Sequence, residues 1–277
     1  METIKKKLPL WQWILLFIGA MFLGFIGYAA LIGAYQVTHM LGLPVLTVVC
    51  AAIVLGIYAL LVKALEEHWP TNLPMRKVIP HTLLGLLVGF LFMAMVVSSI
   101  VASGCAAVSW SGFSWAGQFD MFMIFLAVAV GEEILFRGVI FRFIDERWNM
   151  WVALLVSALL FGFMHISNDN ATWWSSLAIA IEAGLLLGAA YKWSGTLWVP
   201  IGIHWAWNYT QGNIFGLAVS GANTNETILA TTVNGPDIIT GGAFGPEASI
   251  ITVILGIFIT LVFLRNRYRH SSNNRNY

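Results

Sequence analysis

Long apolar runs, each ended by a short polar or Gly/Pro-containing stretch, set the pattern of this chain. A membrane-crossing helix takes ~20 mostly apolar residues. Eight stretches approach that length: roughly 10–34, 43–64, 82–103, 119–141, 150–167, 173–191, 197–218 and 248–264. The alternating apolar/polar pattern of a transmembrane β-barrel is absent. The pattern therefore predicts an all-α polytopic membrane protein with eight transmembrane helices, residues 1–277 forming a single integral-membrane domain. Residues 219–247 are rich in Gly, Asn and Thr and too polar to span, so they read as an outer loop. Their last stretch, Gly241 to Glu247, reads as a turn into the final helix. Two small-xxx-small pairs, Gly85/Gly89 and Gly184/Gly188, predict close helix packing.

Composition removes the alternatives. Of 277 residues, 59% are hydrophobic and 10% charged, against about 25% charged in a soluble domain. So few charges cannot cover a water-facing surface, which excludes a soluble or disordered chain. A net charge of +1 lacks the basic face that nucleic-acid binding needs. Cys50 and Cys105 form no CxxC pair and suit packing rather than a metal cluster.

Charge then orients the helices, because cytoplasmic loops accumulate Lys and Arg. With the N-terminus inside and eight spans, all 14 basic residues fall inside. They comprise Lys5, Lys6 and Lys7; Lys63, Arg76 and Lys77; Arg137, Arg142 and Arg147; Lys192; and Arg265, Arg267, Arg269 and Arg275. Adding or losing one span would put several on the wrong side. N- and C-termini are thus expected in the cytoplasm, of a bacterial plasma membrane. The KKK-led first run is longer than the ~7–15 residue core of a signal peptide and reads as a retained helix. Three glycosylation-like triplets begin at Asn170, Asn208 and Asn225, one of them within a predicted helix. Such short patterns arise by chance.

Ionisable groups inside membrane helices are costly and normally face a protein interior or wet cavity. Here they gather in three spans. The fourth carries Gly131-Glu132-Glu133-Ile134-Leu135-Phe136-Arg137, the fifth ends in Phe161-Gly162-Phe163-Met164-His165, and the seventh carries His204-Trp205-Ala206-Trp207-Asn208. Glu133 and Arg137 are i,i+4 neighbours and can pair. Glu132 points about 100° away and is neutralised less directly, which suits a general base. His204 and Asn208 share a face, and Phe161 lies one turn before His165. By helical rise, Glu132 lies ~15 Å and His165 ~22 Å from the inner ends of their helices. His165 thus fits worst, and calls for a later helix start or a tilt. Glu182, mid-span in the sixth helix, is a further candidate to line the cavity or pair with a motif residue. Trp205 and Trp207 flank the His204 face.

Glu-Glu-x-x-x-Arg, Phe-x-x-x-His and His-x-x-x-Asn, in that order on three spans, resemble the CPBP family. That family comprises the type II CAAX prenyl endopeptidases and the Abi, or bacteriocin-processing, intramembrane proteases. The likeness runs over about 119–210, the expected catalytic core, and the eight-span frame resembles a CAAX-prenyl-endopeptidase-like helical bundle. Ser194 to Pro200, leading into His204, is also similar to the family. The resemblance implies that Glu132 and His165 activate water, that His204 and Asn208 stabilise the oxyanion, and that Arg137 holds Glu133. Hydrolysis needs such a base, a positioned water and donors for developing charge. No Ser or Cys in the motifs offers itself as a nucleophile.

Glu132, His165 and His204 are ligand types that zinc accepts. With no HExxH and only one good ligand in His-x-x-x-Asn, no cofactor is expected, although the family resemblance leaves zinc open. The expected partners are the lipid bilayer and a peptide or protein substrate at the membrane, amphiphilic or membrane-anchored, with CAAX-like proteins and peptide precursors both in range. Two rival classes remain: a transporter using Glu and His as a proton relay, which would show inverted repeats, and a non-proteolytic scaffold or immunity protein of the same fold.

Overall fold

The computed structural model of the chain describes residues 8–224 and 226–273, with side chains through Asn266. Lys5, Lys6, Lys7, Asn225 and Arg275 lie outside the described residues, as do the side chains of Arg267 and Arg269. The fold is predominantly helical, and a helix occupies each of the eight predicted apolar stretches. In chain order they are α1 (Leu10–Met40), α2 (Leu46–Glu66) and α3 (Val78–Ala102). α4 begins at Trp115–Glu133, widens to a π-helix over Ile134–Phe141 and closes with Arg142–Arg147. α5 is Met150–Met164 with a 3-10 turn His165–Ser167. α6 runs Trp173–Ser194 with a π turn at Ala180–Gly184. α7 is Trp198–Tyr209, continued by a π turn Thr210–Ile214, and α8 is Ile250–Asn273.

Five of these helices, α1, α2, α3 with its preceding turn, α5 and α6, are long and apolar enough to cross a membrane. Only 6% of the most apolar window of α1 and 17% of that of α2 is buried within the protein, so lipid is what these helices face. The chain is a multi-pass membrane protein. The other three helices differ for identifiable reasons. α4 carries Glu132, Glu133 and Arg137, α7 is interrupted by its π turn, and the apolar run of α8 gives way to Arg265 and Asn266.

Local signals set several boundaries. Ser114 caps α4, its Oγ accepting from the Gly117 N–H, and the Asn149 carboxamide accepts from the Trp151 and Val152 N–H groups at the start of α5. Thr172 and Ser175 form a reciprocal capping box at α6. α6 ends at Gly195 in the left-handed region, at φ 66°.

The architecture is not purely helical. A two-stranded antiparallel sheet pairs β1 (Ala106–Trp110) with β2 (Leu229–Val233), Ala106 opposite Val233 and Trp110 opposite Leu229. It ties the α3–α4 connection to the 219–247 segment, which is thereby structured rather than a plain loop.

The α3–α7 contact carries the closest packing. Cβ atoms added at Gly85 and Gly89 would strike the backbone at Val199, Gly202 and Ile203, and one at Gly202 would strike Thr82 and Gly85. The Gly85/Gly89 pair does what small-xxx-small pairs do, letting two backbones touch. Ile203 precedes His204, so this contact sets the depth of the His204 face. Gly89→Val should therefore cost more than the ~1–3 kcal/mol of ordinary overpacking, because backbone, not a side chain, must move. The expected result is a lower unfolding temperature in detergent and loss of folded yield.

Candidate active site

Three helices bring the polar motif residues together. On α4, Glu132 is 4% exposed, while Glu133 and Arg137 are fully buried. Arg137 Nη1 donates to Glu133 Oε1 at 2.7 Å, the i,i+4 pair expected from spacing. The π-helical stretch that contains Arg137 leaves a carbonyl to be caught by side chains. Gly138 O accepts from Tyr58 Oη and from Arg142 Nε, both at 3.0 Å. Such widened turns concentrate at functional sites. Arg137 also reaches the π turn of α6, donating from Nη2 to Gly184 O at 3.2 Å and Ala183 O at 3.5 Å. One guanidinium thus clamps two irregular turns together. Its carbon lies 4.6 Å from the centre of the Phe161 ring, a cation–π contact.

Phe161 is the platform of the site. Its ring also packs against His165 at 5.1 Å and His204 at 6.0 Å between centroids. His165 Nδ1 lies 2.8 Å from the Phe161 carbonyl. A carbonyl only accepts, so Nδ1 carries a proton, and in the neutral ring Nε2 holds the lone pair. α5 starts at Met150 as expected, and His165 is its C-cap, with its ring turned back to the Phe161 carbonyl four residues earlier.

On α7, His204 Nδ1 lies 3.0 Å from Glu133 Oε1, and its Nε2 lies 4.0 Å from Glu132 Oε2. His204 therefore sits between the two carboxylates, and Glu133 Oε1 is shared by His204 and Arg137. Glu132 Oε2 and Glu133 Oε2 have no hydrogen-bond partner among the described residues.

A cavity of about 340 Å³ is lined by Glu132, His165, His204 and Asn208, with Phe161 and Trp207 in its wall. Glu133 and Arg137 stand behind that wall, so of the six predicted site residues four face the cavity and two support them. The structure adds residues that spacing did not indicate. Tyr28 of α1 lines the cavity together with Glu132, and a Cβ at Gly131 would overlap its ring. Glu247, Ser220 and Asn168 also line it. Glu247 Oε2 accepts from the Ser220 N–H at 2.5 Å, and Asn168 Nδ2 donates to Ser220 O at 2.9 Å. These bonds fasten the 219–224 segment beside the cavity. Burial pushes the Glu247 carboxyl up from its ordinary value, against the opposing pull of its hydrogen bonds from Ser220.

Glu182 is fully buried but faces α8, where a Cβ at Gly256 would meet its backbone and Cβ. It does not line the cavity, and both carboxylate oxygens lack a hydrogen-bond partner among the described residues. Trp205 packs on Phe122 and donates to its carbonyl at 2.8 Å. Among the described residues, no three His, Cys, Asp or Glu side chains converge as metal ligands would.

Residues 114–210 match the model of the family described as type II CAAX prenyl endopeptidase Rce1-like. Three curated relatives match over shorter stretches. An Escherichia coli protein named "Uncharacterized 24.3 kDa protein" is 34% identical over 95 residues, 34% of this chain and 42% of that protein. Bacillus subtilis YpbD, named as uncharacterized, is 34% identical over 79 residues, 28% of this chain and 36% of YpbD. From the same organism, "Putative membrane peptidase YdiL" is 32% identical over 85 residues, 30% of this chain and 32% of YdiL. The chain thus spans less than half the length of each. No solved structure matches significantly.

Proposed function

With residues 114–210 matching the Rce1-like type II CAAX prenyl endopeptidases, we propose that this chain is an intramembrane endopeptidase. Its substrate would be a membrane-associated or amphiphilic peptide or protein. The observation that carries the reading is one cavity walled by a carboxylate, two imidazoles and a carboxamide: Glu132, His165, His204 and Asn208. All four lie within the matched region, and each has a distinct chemical use.

In this mechanism, a water molecule between Glu132 and His165 loses a proton to Glu132 as its oxygen bonds the scissile carbonyl carbon. The His165 Nε2 lone pair, fixed by the Nδ1–Phe161 bond, accepts the second O–H and aims the water. His204 must donate to the resulting oxyanion through Nε2. With Nδ1–H given to Glu133, Nε2 carries a hydrogen only in the imidazolium. Glu133 and Glu132 flank the ring, 3.0 Å from Nδ1 and 4.0 Å from Nε2. Asn208 supplies a second donor from its amide. The proton held by Glu132 then passes to the leaving nitrogen as the C–N bond breaks. Glu133 and Arg137 act as positioning residues that hold His204. Every step uses the chain's own groups.

The test is cleavage of a peptide library by purified protein in lipid nanodiscs, read by mass spectrometry. Wild type should produce discrete new termini, and His165→Ala should produce none while unfolding at the wild-type temperature. Asn208→Ala should retain cleavage reduced on the order of 10²–10³-fold, the usual effect of losing one oxyanion donor. A His165→Ala protein as active as wild type would overturn the mechanism.

A further inference from the structure

The described charges are sorted between the two ends of the helical bundle. At one end, Arg142 pairs with Glu66 at 2.8 Å, Lys192 with Asp145, and Lys63 lies 4.3 Å over the Trp69 ring. Trp198 Nε1 donates to Pro74 O, and Trp193 packs at a tilt on Phe263 near the far end of α8. These contacts assemble the α2–α3, α4–α5 and α6–α7 connections on one side. Arg76, Lys77, Arg147 and Arg265 belong to the same end by their place along α3, α4 and α8. Thus every Lys and Arg with a described side chain, apart from the internal Arg137, lies there.

The opposite end carries acids without a Lys or Arg among the described residues. His39 and Tyr35 of α1 meet Asp120 of α4 at 2.9 Å each, Gln118 reaches Glu226 O, and Ser220 holds Glu247. Asp169 and Asp237 lie in the α5–α6 and α7–α8 connections. The β1–β2 sheet covers part of this end.

The cavity's outermost lining comes from this acidic end. Asn168, Val219, Ser220, Ala222, Asn223 and Thr224 line it at this end, where Asn168, Ala222 and Asn223 are exposed, while Glu132 and His204 line it at mid-helix. Lys and Arg mark the cytoplasmic side of a membrane protein, and acids contribute little. We propose that the catalytic cavity opens to the non-cytoplasmic face of the membrane. Its substrates are then peptide segments exposed on that face, such as parts of exported or surface-anchored chains, rather than cytoplasmic tails. The substrate part rests on the endopeptidase reading; the orientation does not.

Cysteine labelling in intact cells with a membrane-impermeant maleimide tests the orientation without requiring activity. In the full chain carrying Cys50→Ala and Cys105→Ala, single cysteines replace Asn223 at the mouth, Thr232 on β2, and Met75, which is 79% exposed, at the basic end. Asn223→Cys and Thr232→Cys should shift in intact cells, and Met75→Cys only after permeabilisation. Two mouth-end positions guard against one variant failing to fold. The reverse pattern would overturn the proposal even if cleavage persists. Termini that depend on Glu132 should then fall in segments on the non-cytoplasmic side; termini confined to cytoplasmic segments would overturn its substrate part. An absence of any cleavage would refute the endopeptidase reading and leave the labelling result standing.

Discussion

Glu132→Ala is expected to lose at least ~10²–10⁴-fold in cleavage rate, the range supplied by a positioned general base, and to remain folded. The asymmetry follows from its contacts. Glu132 Oε2 has no hydrogen-bond partner among the described residues, and its nearest basic group, His204 Nε2, is 4.0 Å away. His204 keeps its bond to Glu133 when Glu132 is truncated, so no buried charge is left bare. Circular dichroism and unfolding in detergent should match wild type. Glu132→Gln, which keeps the shape and removes the basicity, should be as inactive. A Glu132→Gln protein with wild-type activity would remove the base from the mechanism.

Arg137→Ala should fail differently, through the fold. The guanidinium is fully buried, bonds Glu133 at 2.7 Å and caps the Gly184 carbonyl at 3.2 Å. Its loss strands a carboxylate and opens the contact between two π turns. Breaking a buried pair by removing one partner costs ~3–5 kcal/mol. The protein should unfold at lower temperature, followed through its 13 tryptophans, and be inactive because His204 loses its fixed partner. Arg137→Lys should recover little, since an ammonium cannot reproduce the fork to Glu133 and the α6 carbonyls. The double variant Glu133→Gln/Arg137→Met should regain stability relative to Arg137→Ala without regaining cleavage. Stability and activity would then separate.

Much of this was legible in the sequence because lipid makes polar residues conspicuous. Glu132, Glu133, Arg137, His165, His204 and Asn208 stand out against apolar runs, and helical spacing pairs Glu133 with Arg137 without knowledge of the fold. The Glu133–His204 bond joins residues 71 positions apart, so no local pattern could show it. It changes His204 from a free donor to a ring shared by two acids. Tyr28 was invisible for the same reason: a lone tyrosine in α1 looks like any membrane aromatic until Gly131 lets it close on Glu132. Glu247 closed a stretch read only as a turn, and its bond to Ser220 reaches 27 residues back along the chain. The β1–β2 sheet escaped because Ala106–Trp110 and Leu229–Val233 are short and pair across more than a hundred residues. The widened turns of α4, α6 and α7 have no compositional marker.

The central claim is that this chain cuts peptide bonds using Glu132. The most direct measurement compares peptide termini in membrane and secreted fractions of host cells carrying either wild type or Glu132→Ala at matched levels. The account predicts a defined set of termini present with wild type and missing with the variant, which would also identify the substrate. Identical termini in both cells, with Glu132→Ala still rescuing a deletion phenotype, would contradict it and point to a membrane scaffold that acts by binding.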